Sequence, residues 1–276
     1  MAAFLDRIEA VNPAVNAIVS LRPREVLLAE ARAADAGPWR GWLHGLPMAV
    51  KDLVAVKGLR TTWGSPIRAE HVPDRDDLIA ARMRAAGAIL IGKTNTPEWG
   101  LGSHSFNPVH GTTLNPYDLT RSAGGSSGGA AAALAARLVP VADGSDMMGS
   151  LRNPAAFCNV YGFRPTWGLI PQDAEGDTYL STLSTDGPMA RDVEDLSSFQ
   201  GRVQLLWEPG DSGWRIRGIA DYSSDSTNGI NVVAVDGGTA SCETSYLRTT
   251  CQRPWSNLRA YLGLTDERQN IAQSIE

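Results

Sequence analysis

The sequence predicts an α/β fold in which helices cover a mixed or parallel β-sheet. Helical patterns alternate with short apolar runs of strand length between residues 40 and 170, which is typical of such folds. The 276 residues are 43% hydrophobic and 20% charged, so the chain buries a substantial core and is too apolar for general disorder. The composition changes near residue 200, where the alanine- and leucine-rich patterns end. We therefore expect a core over 1–198 with an incomplete sheet, and a divergent tail over 199–276 that is truncated, frame-shifted or fused.

Periodic apolar positions define the elements of the first hundred residues. We predict a helix over 3–13, ended by Asn12 and Pro13, and a second helix over 23–34 with Pro23 in its first turn. An apolar run over 46–50 predicts a strand that ends at Lys51. A third helix over 74–86 then leads through Gly87 into a strand over 88–93.

The second half of the core repeats this alternation. An alanine-rich helix over 130–138 precedes a strand over 139–142. Asn153 followed by Pro154 predicts a further helix start, with Asn153 as the cap, which leaves residues 147–150 as a turn. Beyond residue 200 the sequence is turn-like, and Ile230–Val235 is the one strand that we predict there.

The composition also narrows the class of protein. The net charge of −5 gives no electrostatic reason to expect binding to nucleic acid or to an anionic membrane. No apolar run reaches the roughly 18 residues of a membrane span, and acidic residues interrupt the N-terminus, so we expect a cytoplasmic protein. The three cysteines, at 158, 242 and 251, fit neither a disulfide framework nor a metal site. We expect no metal and no cofactor.

The chain uses lysine, instead of arginine, at only three positions. The chain contains 22 arginines but only three lysines, at 51, 57 and 93. A desolvated lysine can lose its proton, whereas arginine keeps its charge at any accessible pH. Chance placement is the alternative, so this bias shows only where a base should be sought.

Three segments carry candidate chemistry, and each has an ordinary alternative. Gly124–Gly129 (GGSSGG) leads directly into a helix, which favours a tight turn presenting Ser126 and Ser127 over a flexible linker. Ser150 lies on the turn before the next helix, where backbone N–H groups can converge on an oxyanion, although it can equally be a serine in a common loop. Lys51 ends an apolar strand, where burial favours its neutral form, unless it reaches the surface or pairs with Asp52.

Together these segments resemble the amidase signature family, whose pattern they match in order. Supporting stretches occur at 92–98, 115–118, 162–165 and 187–191, and the resemblance runs over about 1–198. It implies the amidase signature fold, which is a mixed β-sheet covered by helices on both faces. It also implies a Ser-cisSer-Lys triad: Ser150 as acylated nucleophile, Ser126 on a cis peptide bond as proton relay, and Lys51 as base. It also implies an oxyanion hole made by the backbone N–H groups of Met147, Met148, Gly149 and Ser150. The four histidines (His44, His71, His104 and His110) are then not needed as bases, although His104 is a candidate for the pocket wall.

The resulting functional hypothesis is hydrolysis of a small-molecule amide through an acyl-enzyme, by a chain that can form a homo-oligomer. One alternative is an incomplete relative that is inactive or depends on a partner. The other is the amidase subunit of a tRNA-dependent amidotransferase, which shares the signature. Gly210–Trp214 (GDSGW) superficially matches the Gly-Asp-Ser-Gly of trypsin-like proteases, but the flanking pattern is missing, so we expect Ser212 to be inert.

Overall fold

The computed structural model describes residues 1–172 and 183–193, together with the backbone of two strands, at 203–207 and 216–220. The chain divides into two compact units, Met1–Phe199 and Gln200–Glu276. The helices of the first unit are α1 (Ala2–Val15), α2 (Arg24–Ala36), α3 (Leu78–Ala85), α4 (Gly128–Ala135) and α5 (Arg152–Phe157). Its strands are β1 (Ile18–Val19), β2 (Pro47–Lys51), β3 (Ile89–Thr94), β4 (Phe106–Asn107), β5 (Gly111–Thr112), β6 (Leu114–Asn115), β7 (Asp118–Ser122), β8 (Val141–Asp146), β9 (Tyr161–Gly162) and β10 (Thr185–Ala190).

The first sheet is mixed and has helices on both faces. Its strand order is β1-β3-β2, with β1 antiparallel and β2 parallel to β3. Because side chains alternate along a strand, Ala49 joins a core with α1 and α4, whereas Met48 and Val50 join a second core with α3. The predicted helix-covered mixed sheet is confirmed.

Helix α4 lies very close to the backbone of this sheet. A Cβ atom on Gly129 would lie 2.2 Å from the main-chain nitrogen of Asn95 and 2.8 Å from the carbonyl oxygen of Ala17. Glycine is therefore required sterically here, and α4 is fully buried over Gly128–Leu134. The close approach of α4 to the sheet backbone therefore fixes how near the glycine-rich loop before α4 lies to the sheet.

The second sheet has the order β8-β10-β9 and is antiparallel throughout the described residues. β8 also runs beside β2, since the side chain of Asp143 accepts a hydrogen bond from the main-chain N–H of Lys51. Two short hairpins, β4–β5 and β6–β7, connect the first sheet to α4. The ends of β2 and β8 and the start of α4 are thus brought together.

Most of the predicted elements are present with shifted boundaries. α1 continues through Pro13 to Val15, contrary to the predicted stop, because a proline in the last turn loses few helical hydrogen bonds and Asn16 caps the end in a left-handed conformation. α3 begins at Leu78 and not at residue 74, because the Asp76 and Asp77 carboxylates accept main-chain N–H bonds from the 55–57 segment.

Two further boundaries are wrong in the prediction. β8 covers Val141–Asp146 and not 139–142, because pairing with β10 extends it over Gly144, Ser145 and Asp146. Asn153 is not the cap of α5: the helix starts at Arg152, and Asn153 lies inside it. The predicted turn over 147–150 is confirmed.

In the second unit, β11 (Val203–Trp207) pairs antiparallel with β12 (Ile216–Ala220). The prediction of a single strand beyond residue 200 is therefore wrong. Ile230–Val235, Ser212, Cys242 and Cys251 lie outside the described residues. No helix in the described part of the chain is long and apolar enough to cross a membrane.

Candidate active site

Lys51 ends β2 with its side chain buried, at 1% exposure. Its Nζ donates hydrogen bonds to three serine hydroxyls: Ser126 Oγ at 2.7 Å, Ser145 Oγ at 2.8 Å and Ser127 Oγ at 2.9 Å. Lys51 does not reach the surface, and its ammonium does not pair with Asp52, so both ordinary interpretations of this lysine are wrong. A lysine whose nearest neighbours are hydroxyls can accept and return a proton at short range.

The glycine-rich segment is a tight buried turn and not a linker. The peptide bond between Gly125 and Ser126 is cis, as the family resemblance implies. A Cβ on Gly125 would lie 2.8 Å from the main-chain nitrogen of His104, so the backbone approaches closely there. Ser126 keeps its hydroxyl toward Lys51 while its carbonyl oxygen accepts a bond from Ser105 Oγ.

Ser150 lies at the end of the turn after β8 and is half-buried. The main-chain N–H of Ser127 donates to the carbonyl oxygen of Ser150 at 2.9 Å, which ties this turn to the glycine-rich turn. The structure therefore brings Lys51 and Ser126 into direct contact and places Ser150 next to them. Among the described residues, the Ser150 hydroxyl makes no hydrogen bond to either side chain.

The backbone N–H groups around Ser150 differ in their partners. Gly149 N–H donates to Asp146 Oδ1 at 2.7 Å. The N–H groups of Met147, Met148 and Ser150 have no acceptor within the described parts of the chain, so they are available to an oxyanion. The side chains of Met147 and Met148 are 42% and 86% exposed, so neither is packed into the core.

Asp146 organises this turn and was missed by the sequence reasoning. Its buried carboxylate accepts bonds from Gly149 N–H and from the main chain and guanidinium of Arg152, and Arg164 Nε lies 3.4 Å away. Burial alone would raise the pKa of Asp146, but the Arg152 and Gly149 hydrogen bonds hold it below its usual value. The sequence offered one signal for this role: an aspartate and an arginine flank the predicted turn over 147–150.

Burial controls the proton affinity of Lys51. Desolvation lowers the pKa of Lys51 from 10.5 to about 8, because the charged form loses its hydration. The negative charges of Asp143, Asp186 and Asp146 oppose this effect but do not cancel it. Near neutral pH, Lys51 is thus neutral in a far larger fraction of molecules than an exposed lysine would be.

Lys93 is a second buried lysine on the opposite face of the sheet. An irregularity in the β2–β3 register pairs Val50 with Lys93, so these two side chains share a face that Lys51 does not occupy. The ammonium of Lys93 donates to the carbonyl oxygen of Val54. Burial lowers the pKa of Lys93 to about 8, and the charge of Asp52 acts in the opposite direction.

Each of the four histidines contacts protein groups away from Lys51. His110 Nε2 lies 3.1 Å from Thr62 Oγ1, and burial lowers the pKa of His110. His44 Nε2 lies 3.1 Å from the carbonyl oxygen of Ala34, and the ring of His71 stacks on Trp63. His104 borders a cavity of about 470 Å³, whose other lining residues are Asn115, Arg121, Ser122 and Phe157.

Cys158 is buried and unpaired, and burial raises its pKa to about 12, so the thiol is unreactive near neutral pH. Over the part of the chain that the structure describes, no group of three or more His, Cys, Asp or Glu side chains could hold a metal ion.

Comparisons with known proteins agree on one family. The family model described as Amidase matches residues 1–224, which extends past residue 198. The chain is 48% identical to a glutamyl-tRNA(Gln) amidotransferase subunit of Thermus thermophilus over 202 residues, covering 73% of this chain and 41% of that protein. It is 44% identical to an acylamidase of Rhodococcus erythropolis over 196 residues, covering 70% and 41% respectively.

Solved structures show the same relationship. The fold superposes on 6-aminohexanoate cyclic dimer hydrolase, solved with its substrate, with a TM-score of 0.67 and 36% identity. That superposition covers 76% of this chain and 43% of the hydrolase. The chain thus spans less than half the length of these relatives.

Proposed function

The chain belongs to the amidase signature family, and we propose that it hydrolyses a carboxylic amide through an acyl-enzyme on Ser150. Lys51 is the base, and Ser126 relays the proton between them. The observation that carries this proposal is the buried hydrogen bond of 2.7 Å from Lys51 Nζ to Ser126 Oγ. A serine needs such a base in contact, directly or through a relay, to become a nucleophile.

The first half of the reaction follows from this arrangement. Neutral Lys51 accepts a proton from Ser126 Oγ as Ser126 accepts the proton of Ser150 Oγ, and Ser150 attacks the carbonyl carbon of the amide. The oxyanion forms next to the N–H groups of Met147, Met148 and Ser150, with Gly149 N–H available only if Asp146 releases it.

The second half reverses the proton path. Ser126 passes a proton to the amide nitrogen, the C–N bond breaks, and ammonia or an amine leaves. Water then attacks the acyl-Ser150 ester and gives one proton through Ser126 to Lys51. The same relay returns that proton to Ser150 Oγ as the ester C–O bond breaks, which releases the carboxylic acid and leaves Lys51 neutral again. An amide needs this protonation of its leaving group far more than an ester does, and the single Lys51–Ser126 path provides it.

The test is intact-protein mass spectrometry after exposure to a fluorophosphonate probe, combined with turnover of a panel of aryl and short aliphatic amides. We expect one adduct, mapped to Ser150 by peptide analysis, and release of amine from at least one amide. Absence of both the adduct and turnover would reject the proposal for this chain. A cytoplasmic location and a homo-oligomer stay predictions, to be checked by fractionation and by light scattering.

The second candidate is the amidase subunit of an amidotransferase, favoured by 48% identity to the Thermus thermophilus protein. In that case the chain would release ammonia from an amide donor for a partner protein. Ammonia release from glutamine that rises severalfold on adding the other amidotransferase subunits, with co-purification of the complex, would favour this candidate. Unchanged hydrolysis of simple amides without any partner would favour the first.

A further inference from the structure

Asp143 contacts the main chain of the proposed base but takes no part in the proton path. Its two carboxylate oxygens accept the N–H of Lys51 at 3.1 Å and 3.2 Å, and its side chain is 2% exposed. Asp143 and Ser145 lie two residues apart on β8, so they project from the same face, and Ser145 Oγ accepts a bond from Lys51 Nζ. The carboxylate therefore lies on the same face of β8 as the hydroxyl that contacts the Lys51 ammonium.

A single main-chain N–H does not require a buried charge. A neutral amide or hydroxyl oxygen accepts the same bond without the desolvation cost of a carboxylate. That cost is visible here, since burial, with a smaller effect from the charge of Asp186, raises the pKa of Asp143 to about 6. The hydrogen bond from Lys51 N–H and the charges of Lys93 and Lys51 lower that pKa but do not cancel the rise. The charge is thus unexplained by the hydrogen bond alone.

We propose that Asp143 is a positioning residue that fixes the end of β2 and stabilises the protonated ammonium of Lys51, and so sets the pH at which Lys51 becomes a base. This inference rests on the proposed function of Lys51. Two other acids face the ammonium: Asp186, which lies opposite Ser145 on β10, and Asp146 at the end of β8. Asp143 exerts the largest of the three charge effects on Lys51.

The direction of the effect follows from the sign of the charge. A negative charge favours the protonated lysine, so removing it makes Lys51 easier to deprotonate. Asp143→Asn keeps an oxygen for the Lys51 N–H and removes the charge. We expect the pH midpoint of Lys51 to fall by about one unit, the lower end of the range for a neighbouring opposite charge. Relative to its own plateau, the variant should then be severalfold more active than the wild type between about pH 6 and 7, where Asp143 is ionised in the wild type and Lys51 is mostly protonated.

The measurement uses the three lysines of the chain. Incorporation of 13C,15N-lysine gives three side-chain signals, of which Lys51 is assigned by Lys51→Arg and exposed Lys57 serves as an internal reference. The titration of Lys51 is followed from pH 5 to 10 alongside the rate of fluorophosphonate labelling. The matched control is Asp52→Asn, since Asp52 is also a buried carboxylate that accepts a main-chain N–H, from Thr62. Both carboxylates act on Lys93, Asp52 more strongly, but of the two only Asp143 acts on Lys51.

The inference predicts that Asp143→Asn lowers the Lys51 midpoint and that Asp52→Asn leaves it unchanged. An unchanged Lys51 midpoint in Asp143→Asn, or an equal fall in both variants, would overturn it. If Asp143→Asn does not fold, the wild-type Lys51 signal decides: it should show a second inflection near pH 6 as Asp143 titrates, and its absence also overturns the inference. Because this titration needs no turnover, a protein without amidase activity rejects the proposed function separately.

Discussion

Replacing Lys51 tests the central step of the proposed mechanism. Lys51→Met keeps the length and volume of the side chain but removes the amine, and Lys51→Arg keeps a cation that cannot deprotonate. Both variants should lose at least about 10³-fold in turnover and in probe labelling, because the relay Ser126 then has no base to accept its proton. Neither loss should reflect unfolding, so each variant is compared with the wild type by its thermal transition.

The structure also sets the size of the pH effect in the wild type. With the pKa of Lys51 lowered to about 8, about one molecule in ten carries neutral Lys51 at pH 7, against about one in three thousand for an exposed lysine. Burial thus raises the concentration of neutral Lys51 at pH 7 by about 300-fold. The value of kcat/KM should rise about tenfold per pH unit below 8 and level off above about 9.

The assay is the second-order rate of fluorophosphonate labelling between pH 6 and 10, read by intact mass, with amide turnover measured in the same buffers. A profile that is flat between pH 6 and 9 would refute the role of Lys51. So would a folded Lys51→Arg variant that keeps more than about a tenth of the wild-type rate.

Three further outcomes are expected. Ser150→Ala should lose probe labelling and at least about 10³-fold in turnover, and an adduct that persists at Ser212 would contradict this assignment. Ser126→Ala should lose about 10²-fold, between wild type and the Lys51 variants, if it relays the proton, and nothing if it only shapes the turn. Gly129→Ala should lower the free energy of unfolding by about 3 kcal/mol in urea denaturation despite the better helix propensity of alanine, because the added Cβ meets backbone atoms that cannot move aside. Gly102→Ala, where the nearest atom is a proline side chain at 3.3 Å, should cost less than about 1 kcal/mol, and equal costs would refute the steric reasoning.

The strand that ends at Lys51 and the glycine-rich turn were both predictable from the sequence. An apolar run that ends in lysine gives a buried strand with Lys51 at its tip, and a GGSSGG segment before an alanine-rich helix gives a tight turn. Both patterns depend on residues close together in the chain, where periodicity and turn chemistry apply.

The remaining groups depend on strand register, which local patterns do not specify. Gly144, Ser145 and Asp146 have low strand propensity, so the predicted strand stopped before them. Pairing with β10 extends β8 and brings Ser145 to the Lys51 ammonium and Asp143 to its main chain. The carboxylate of Asp146 binds three main-chain N–H groups at the start of α5, which explains why Asn153 is not needed as the cap.

The placement of the lysines gives the bias toward arginine a physical meaning. Lys57 is exposed, whereas Lys51 and Lys93 are fully buried on opposite faces of β2 and β3. A guanidinium at either buried position would keep its charge and need several acceptors, but each ammonium has room for only a few. Lys93 donates to one carbonyl group and is faced by Asp52, while the three shortest contacts of the Lys51 ammonium are all with hydroxyls. Two lysines with similarly lowered pKa values therefore differ in the one property that proton transfer needs: a hydroxyl in direct contact, which Lys51 has and which, among the described residues, Lys93 lacks.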